Sequence, residues 1–84
     1  GVLIIKNKRV ISDKVITGKE LEDYSLNTCE IRNCHITKCK LIDCIVVGSV
    51  LVDCDGSFND VSDSKVMSRG NLTYTKFHHG VSII

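Results

Sequence analysis

The chain contains no proline, so none of its 84 residues lacks the backbone donor that continuous strand pairing requires. Nor does charge of one sign prevail. Eleven Lys and Arg offset ten Asp and Glu to leave a net charge of +1, and the two signs are mixed along the chain. That balance excludes an extended polyanion-binding face, an acidic surface imitating DNA and a basic membrane tail, so no nucleic-acid partner is expected. Long apolar runs are missing too. Residues 1–5 are aliphatic but too short to span a membrane, and Lys6, Lys8 and Arg9 follow at once, the reverse of a signal-peptide order. No membrane association and no targeting segment are expected.

Chemical signatures are equally scarce. There is no glycine-rich phosphate loop, no nucleophile motif and no cofactor fingerprint, so neither a catalytic residue nor a cofactor is expected, and the chain reads as a non-enzyme. Asp43, Asp53, Asp55, Asp60 and Asp63 invite a carboxylate-pair reading, but Asp at the end of a short repeat is what a tight corner asks for. No Cys-x-x-Cys pair accompanies the five cysteines or His35, His78 and His79, so no metal site is expected. The His78-His79 pair beside Lys76 reads as an exposed polar turn.

What is present is a column. Cysteine returns every fifth residue at Cys29, Cys34, Cys39 and Cys44, Ser49 substitutes, and Cys54 follows. Two residues behind it runs an aliphatic column, Ile31, Ile36, Leu41, Val46 and Leu51. An α-helix would scatter positions five apart around its axis, and one straight strand would send alternate repeats to opposite faces. The chain must therefore turn between repeats, with both columns inside. These ten residues, the five cysteines with the five aliphatics, are the expected core. An odd cysteine number argues against a disulfide framework. The thiols are read as reduced, buried small groups in a cytoplasmic protein, chosen for size, since Ser49 and Ser64 occupy the same position. In a dry site, Ser in place of Cys39 is then expected to cost more than Ala.

The frame extends outward from this stretch. Ile11, Ile16, Leu21 and Leu26 precede it; Gly56 leaves an aliphatic slot empty, which Phe58 is expected to fill by bending inward; Val61 and Val66 resume. One inserted residue near Arg69-Gly70 restores the frame at Leu72 and Phe77, with Gly70, Thr75 and Gly80 in the small column. A single domain is expected. Residues 1–18 supply strands at 2–5 and 10–16 that cap one end, with Lys6-Asn7-Lys8-Arg9 as a turn. Residues 19–68 form the regular repeats, and 69–84 form shifted repeats and an apolar tail that caps the stack or pairs with another chain.

Outward positions are mostly polar, as at Glu22, Asn27, Glu30, Arg32, His35, Thr37 and Lys40. One stretch differs: Ile42, Ile45, Val47, Val50 and Val52 put five aliphatics at outward positions in succession. This belt is the expected interface, a subunit or partner surface.

The units Cys29-Glu30-Ile31-Arg32-Asn33, Cys34-His35-Ile36-Thr37-Lys38 and Cys39-Lys40-Leu41-Ile42-Asp43 resemble the pentapeptide-repeat family over residues 19–68, and on to Phe77 in a second frame. The family prefers Ala in the small column and Leu or Phe at the centre, where this chain has Cys and mostly Ile, Leu or Val. The resemblance implies an all-β fold, a short right-handed parallel β-helix in which four repeats make one square coil. Residues twenty apart would stack, placing Cys34 beneath Cys54, Glu30 on the column of Val50, and Asp23, Asp43 and Asp63 in one ladder. Stacked Cβ atoms would then stand too far apart for a Cys34–Cys54 disulfide.

The expected function is a self-associating, non-enzymatic module that binds a protein partner and inhibits a macromolecular target. A structural β-helical segment of a fibre or viral tail appendage is the alternative. A DNA mimic that occupies topoisomerases, as known in the family, and a metal-binding protein fit less well.

Overall fold

The computed structural model describes residues 9–68 and 70–84. The strand expected at 2–5, the turn at Lys6-Asn7-Lys8 and the residue Arg69 lie outside the described residues.

Among the described residues fifteen short strands wind into a parallel β-solenoid of about five turns, and no helix occurs. The strands form three walls. On the first, β1 (Arg9–Ser12), β4 (Tyr24–Asn27), β7 (Lys40–Ile42), β10 (Asp55–Ser57) and β13 (Leu72–Thr73) stack in order. The second holds β2 (Val15–Thr17), β5 (Glu30–Arg32), β8 (Ile45–Val47), β11 (Asp60–Ser62) and β14 (Lys76–Phe77). The third holds β3 (Glu20–Glu22), β6 (His35–Thr37), β9 (Val50–Val52), β12 (Lys65–Met67) and β15 (Ser82–Ile83).

One coil is thus three repeats, not the four that the family resemblance implied. Leu26 pairs with Leu41, Ile31 with Val46 and Ile36 with Leu51, each fifteen residues on. The stacked cysteines are Cys29 with Cys44 and Cys39 with Cys54, and Cys34 lies under Ser49. Glu30 is registered with Ile45, not Val50. The supposed Asp23–Asp43–Asp63 ladder is dispersed over three corners. Asp23 instead shares a groove with Lys38 and Asp53, so charge alternates along that corner and the self-repulsion of a carboxylate ladder does not arise.

The corners explain the short strands. Between walls one residue per repeat adopts a left-handed conformation, as at Asp13, Asp23, Thr28, Asn33, Lys38, Asp43, Asp53 and Asp63, with φ from 49° to 60°. Asn and Asp tolerate this region best after glycine, and Thr poorly. The stretch at 10–16, expected as one strand, is divided at Asp13 (φ 56°) between the first and second walls, so the regular coil is already running at Ile11.

From Cys29 to Val66 each repeat except that of Gly56 sends two side chains inward, the central residue of the strand and the small residue two before it, whereas Lys14 and Lys19, at the small position of the first coil, are exposed. All ten expected core residues are buried, with Ile31, Ile36, Leu41 and Val46 at 0% exposure, and Leu26, outside those ten, is at 0% as well. Near Gly56 the structure departs from expectation. A Cβ there would collide with the Leu41 carbonyl, so the backbone itself closes on the coil below and leaves no slot to fill. Phe58 does not bend inward. It occupies a left-handed corner (φ 59°), is 61% exposed and stacks on Tyr74 one coil above, with ring centroids 5.2 Å apart.

The inserted residue before Leu72 is accommodated as expected, since Gly56 pairs with Leu72 and Val61 with Phe77, sixteen residues on. A second insertion follows, because Val66 pairs with Ile83. Gly80 consequently falls in a turn with φ 74°, and Val81 packs against the core in its place.

Candidate interaction surface

The inner lining accounts for the backbone before anything is left for the surface. Along each coil, the corner amide donates to the coil above (Thr28 N–H to the Ile42 carbonyl, 2.9 Å) and the amide opening each strand donates to the coil below (Ile45 N–H to the Cys29 carbonyl, 2.9 Å). The amide of the small residue has no such backbone partner. It is taken by the small side chain one coil above: Tyr24 N–H donates to Cys39 Sγ (3.4 Å), Cys34 N–H to Ser49 Oγ (3.1 Å), Ser49 N–H to Ser64 Oγ (3.0 Å) and Cys44 N–H to Asn59 Oδ1 (2.9 Å). The thiol protons face carbonyls, such as Cys44 Sγ to Leu26 O (3.3 Å), and Asn59 Nδ2 donates to Leu41 O (3.0 Å). No buried side-chain nitrogen or oxygen among the described residues lacks a partner.

The cysteine column is therefore selected for a hydrogen-bonding heteroatom as well as for size, which corrects the size-only reading and reverses the expected order of Ser and Ala at Cys39. Asn59, which sequence reasoning passed over, belongs to the same column. Its position five residues after Cys54 was the available signal. Burial pushes the thiols up, to about 11 at Cys44 and Cys54 and in the same direction at Cys39, against the opposing pull of amide hydrogen bonds. Such thiols stay protonated at neutral pH and are poor nucleophiles.

Outward positions carry the rest. The five belt residues all belong to the third coil but are shared among three walls: Ile42 on β7, Ile45 and Val47 on β8, Val50 and Val52 on β9. Ile45 is 48% exposed, and the other four are half-buried. The structure brings together Ile45 with Val47, and Val50 with Val52, but turns the two pairs and Ile42 onto different faces. Each wall has its own surroundings. On the second, Glu30 and Arg32 lie below Ile45 and Val47, joined by a 3.1 Å ion pair, and Asp60 and Ser62 lie above. On the third, Thr37 lies below Val52 and Met67, 36% exposed, above it.

Of the remaining candidates, His78 and His79 do form an exposed pair at the top of the solenoid, each against a carboxylate, at 3.1 Å to Asp60 and 3.5 Å to Asp63. His35 is exposed on the third wall, in register with Glu20 below and Val50 above. Among the described residues no three His, Cys, Asp or Glu side chains gather as a metal would require, and no helix is long and apolar enough to cross a membrane.

Fold and lining together define a class, a parallel β-solenoid of five-residue repeats with three walls. No protein-family model matches the chain, and no curated protein matches it in sequence.

Proposed function

We propose that the chain is a non-catalytic protein-interaction module: a small rigid solenoid, divergent from the pentapeptide-repeat family in its three-sided coil, which self-associates and binds a macromolecular target that it inhibits. The observation that carries this reading is the composition of the third coil's outward positions. An interior cannot explain aliphatics at Ile42, Ile45, Val47, Val50 and Val52, because those side chains lie outside the lining, while outward neighbours such as Glu30, Lys40 and Asp60 are charged. Water-exposed aliphatic area on so small a molecule favours association. Two charged substitutions, Val47→Lys with Val50→Glu, are expected to lower the oligomeric mass in light scattering while the β-type circular dichroism persists. An unchanged mass would rule the belt out as an association surface.

A structural role, as a segment of a fibre or tail appendage, is favoured by one further feature. The last coil leaves Ile83 51% and Ile84 71% exposed, an apolar end on which further β-structure could stack. A trimer that resists detergent would support that role over the first.

A further inference from the structure

We infer that a second copy of this chain docks on the second wall, related to the first by a two-fold axis parallel to the solenoid axis. The inference rests on the self-association reading above and narrows it to one wall and one symmetry.

Each strand presents two outward side chains, one before and one after its buried central residue, as β8 does with Ile45 and Val47 around Val46. Stacking turns these into two columns per wall. A two-fold axis along the solenoid keeps each coil opposite the same coil and reverses the strand direction, so the leading column of one copy faces the trailing column of the other. On the second wall this places Glu30 opposite Arg32 of the second copy and Arg32 opposite its Glu30. The existing 3.1 Å pair becomes a closed ring of four alternating charges. One coil up, Ile45 faces Val47 twice, covering the most exposed of the belt residues. One coil down, Val15, 68% exposed, faces Thr17. Above, Asp60 faces Ser62, and Lys76 faces His78, whose ring lies 3.1 Å from the Asp60 carboxylate of its own copy.

Other arrangements fail on charge. A two-fold axis along the strands, centred on the third coil, sets Glu30 against Asp60. The parallel arrangement on the third wall sets Glu20 against Glu22 twice, and like charges placed opposite one another select against both of these pairings. On the first wall the parallel arrangement sets Lys40 against Ile42, which takes an ammonium out of water with no partner for it. Five strands about 4.8 Å apart and a repeat of five residues at about 3.3 Å give a face of roughly 400 Å² per copy, about 800 Å² in total, which is below the range of stable interfaces and in that of weak, transient ones. The dimer is therefore reversible and concentration-dependent.

Sedimentation equilibrium from micromolar to millimolar protein tests the arrangement. Glu30→Arg and Arg32→Glu each place four like charges in the ring, and each variant alone is expected to dissociate at least ten-fold more readily than the wild type. Mixed in equal amounts, they are expected to recover the dimer mass, because the two positive charges that one variant contributes to the ring then face the two negative charges of the other. Circular dichroism checks that both fold, and both sites are exposed. Dimers from either variant alone at wild-type affinity, or a mixture that stays monomeric, would overturn the arrangement. If Val50→Lys with Val52→Lys on the third wall dissociates the wild-type oligomer while the mixture does not recover, the wall is wrong but self-association stands. A wild type monomeric across the whole range removes both.

Discussion

At the scale of the residue, the informative position is the small one. Alanine would fit the space, yet the chain uses Cys, Ser and Asn there, each with an atom that can accept an amide proton. Cys39→Ala removes the acceptor for Tyr24 N–H and is expected to cost about 1–3 kcal/mol, the penalty of leaving a buried polar group unmade. Cys39→Ser keeps both acceptor and donor, as Ser49 and Ser64 do, and is expected to cost less. Urea denaturation of the two variants ranks them. The same burial sets a pH response. Cys44 and Cys54 have folded-state values near 11, raised from 9.0, so the native state holds its thiol protons where the unfolded chain loses them. Their contribution to stability is fully present below pH 9 and is lost as pH rises towards about 11. The urea midpoint should fall across that window, and the fall should be shallower in a variant carrying Cys44→Ser and Cys54→Ser, which leaves the other alkaline groups in place.

At the scale of the element, the repeat is a strand of about three residues and a left-handed corner. Thr28 is the β-branched residue in that conformation, with φ 54°, and its side chain is exposed. Replacing it by Gly relieves about 1–2 kcal/mol of left-handed strain against about 0.5–1 kcal/mol of added chain entropy. Thr28→Gly is therefore expected to raise the thermal midpoint slightly, where a glycine on a strand would lower it. The direction of the side chains in the regular repeats, Phe58 apart, was legible before the structure, because alternation and corner chemistry are local: the inward columns, the polar corners and the outward belt all followed from a spacing of five. The number of walls was not. A five-residue frame is satisfied equally by three or four sides, and the choice lies in the corner angle and in pairing between residues fifteen apart, such as Ile31 with Val46. Every error of stacking, from Cys34 under Cys54 to the aspartate ladder, descends from that one undetermined quantity. The reading of Phe58 failed for a different reason, since nothing local distinguishes a backbone that closes inward at Gly56 from a slot awaiting a side chain.

At the scale of the molecule, coils are interchangeable units and register is the rule that joins them. Duplication of residues 39–53 inserts one whole coil and returns the chain to the same wall, so the product should fold with more β-structure by circular dichroism and melt no lower than the parent, as expected where stability sums over units and their contacts. Deletion of Ser49 alone should abolish the cooperative melt. It moves Val52 into the place of the buried Leu51 and carries each later residue one place out of register. The single insertion before Leu72 is tolerated in the last coil, where only one further turn depends on it.

The ladder of amide bonds described above also has a mechanical meaning. Bonds such as Ile45 N–H to the Cys29 carbonyl join one coil to the next, so they lie along the solenoid axis. A pull along that axis loads the coils in series, like rungs peeled from a rope ladder, rather than sharing the load across a sheet. The weakest junction parts first and the rest stay folded. Each coil that parts would release fifteen residues, roughly 50–54 Å of extended chain, and a force-extension trace would show a row of evenly spaced low steps in place of one high rupture.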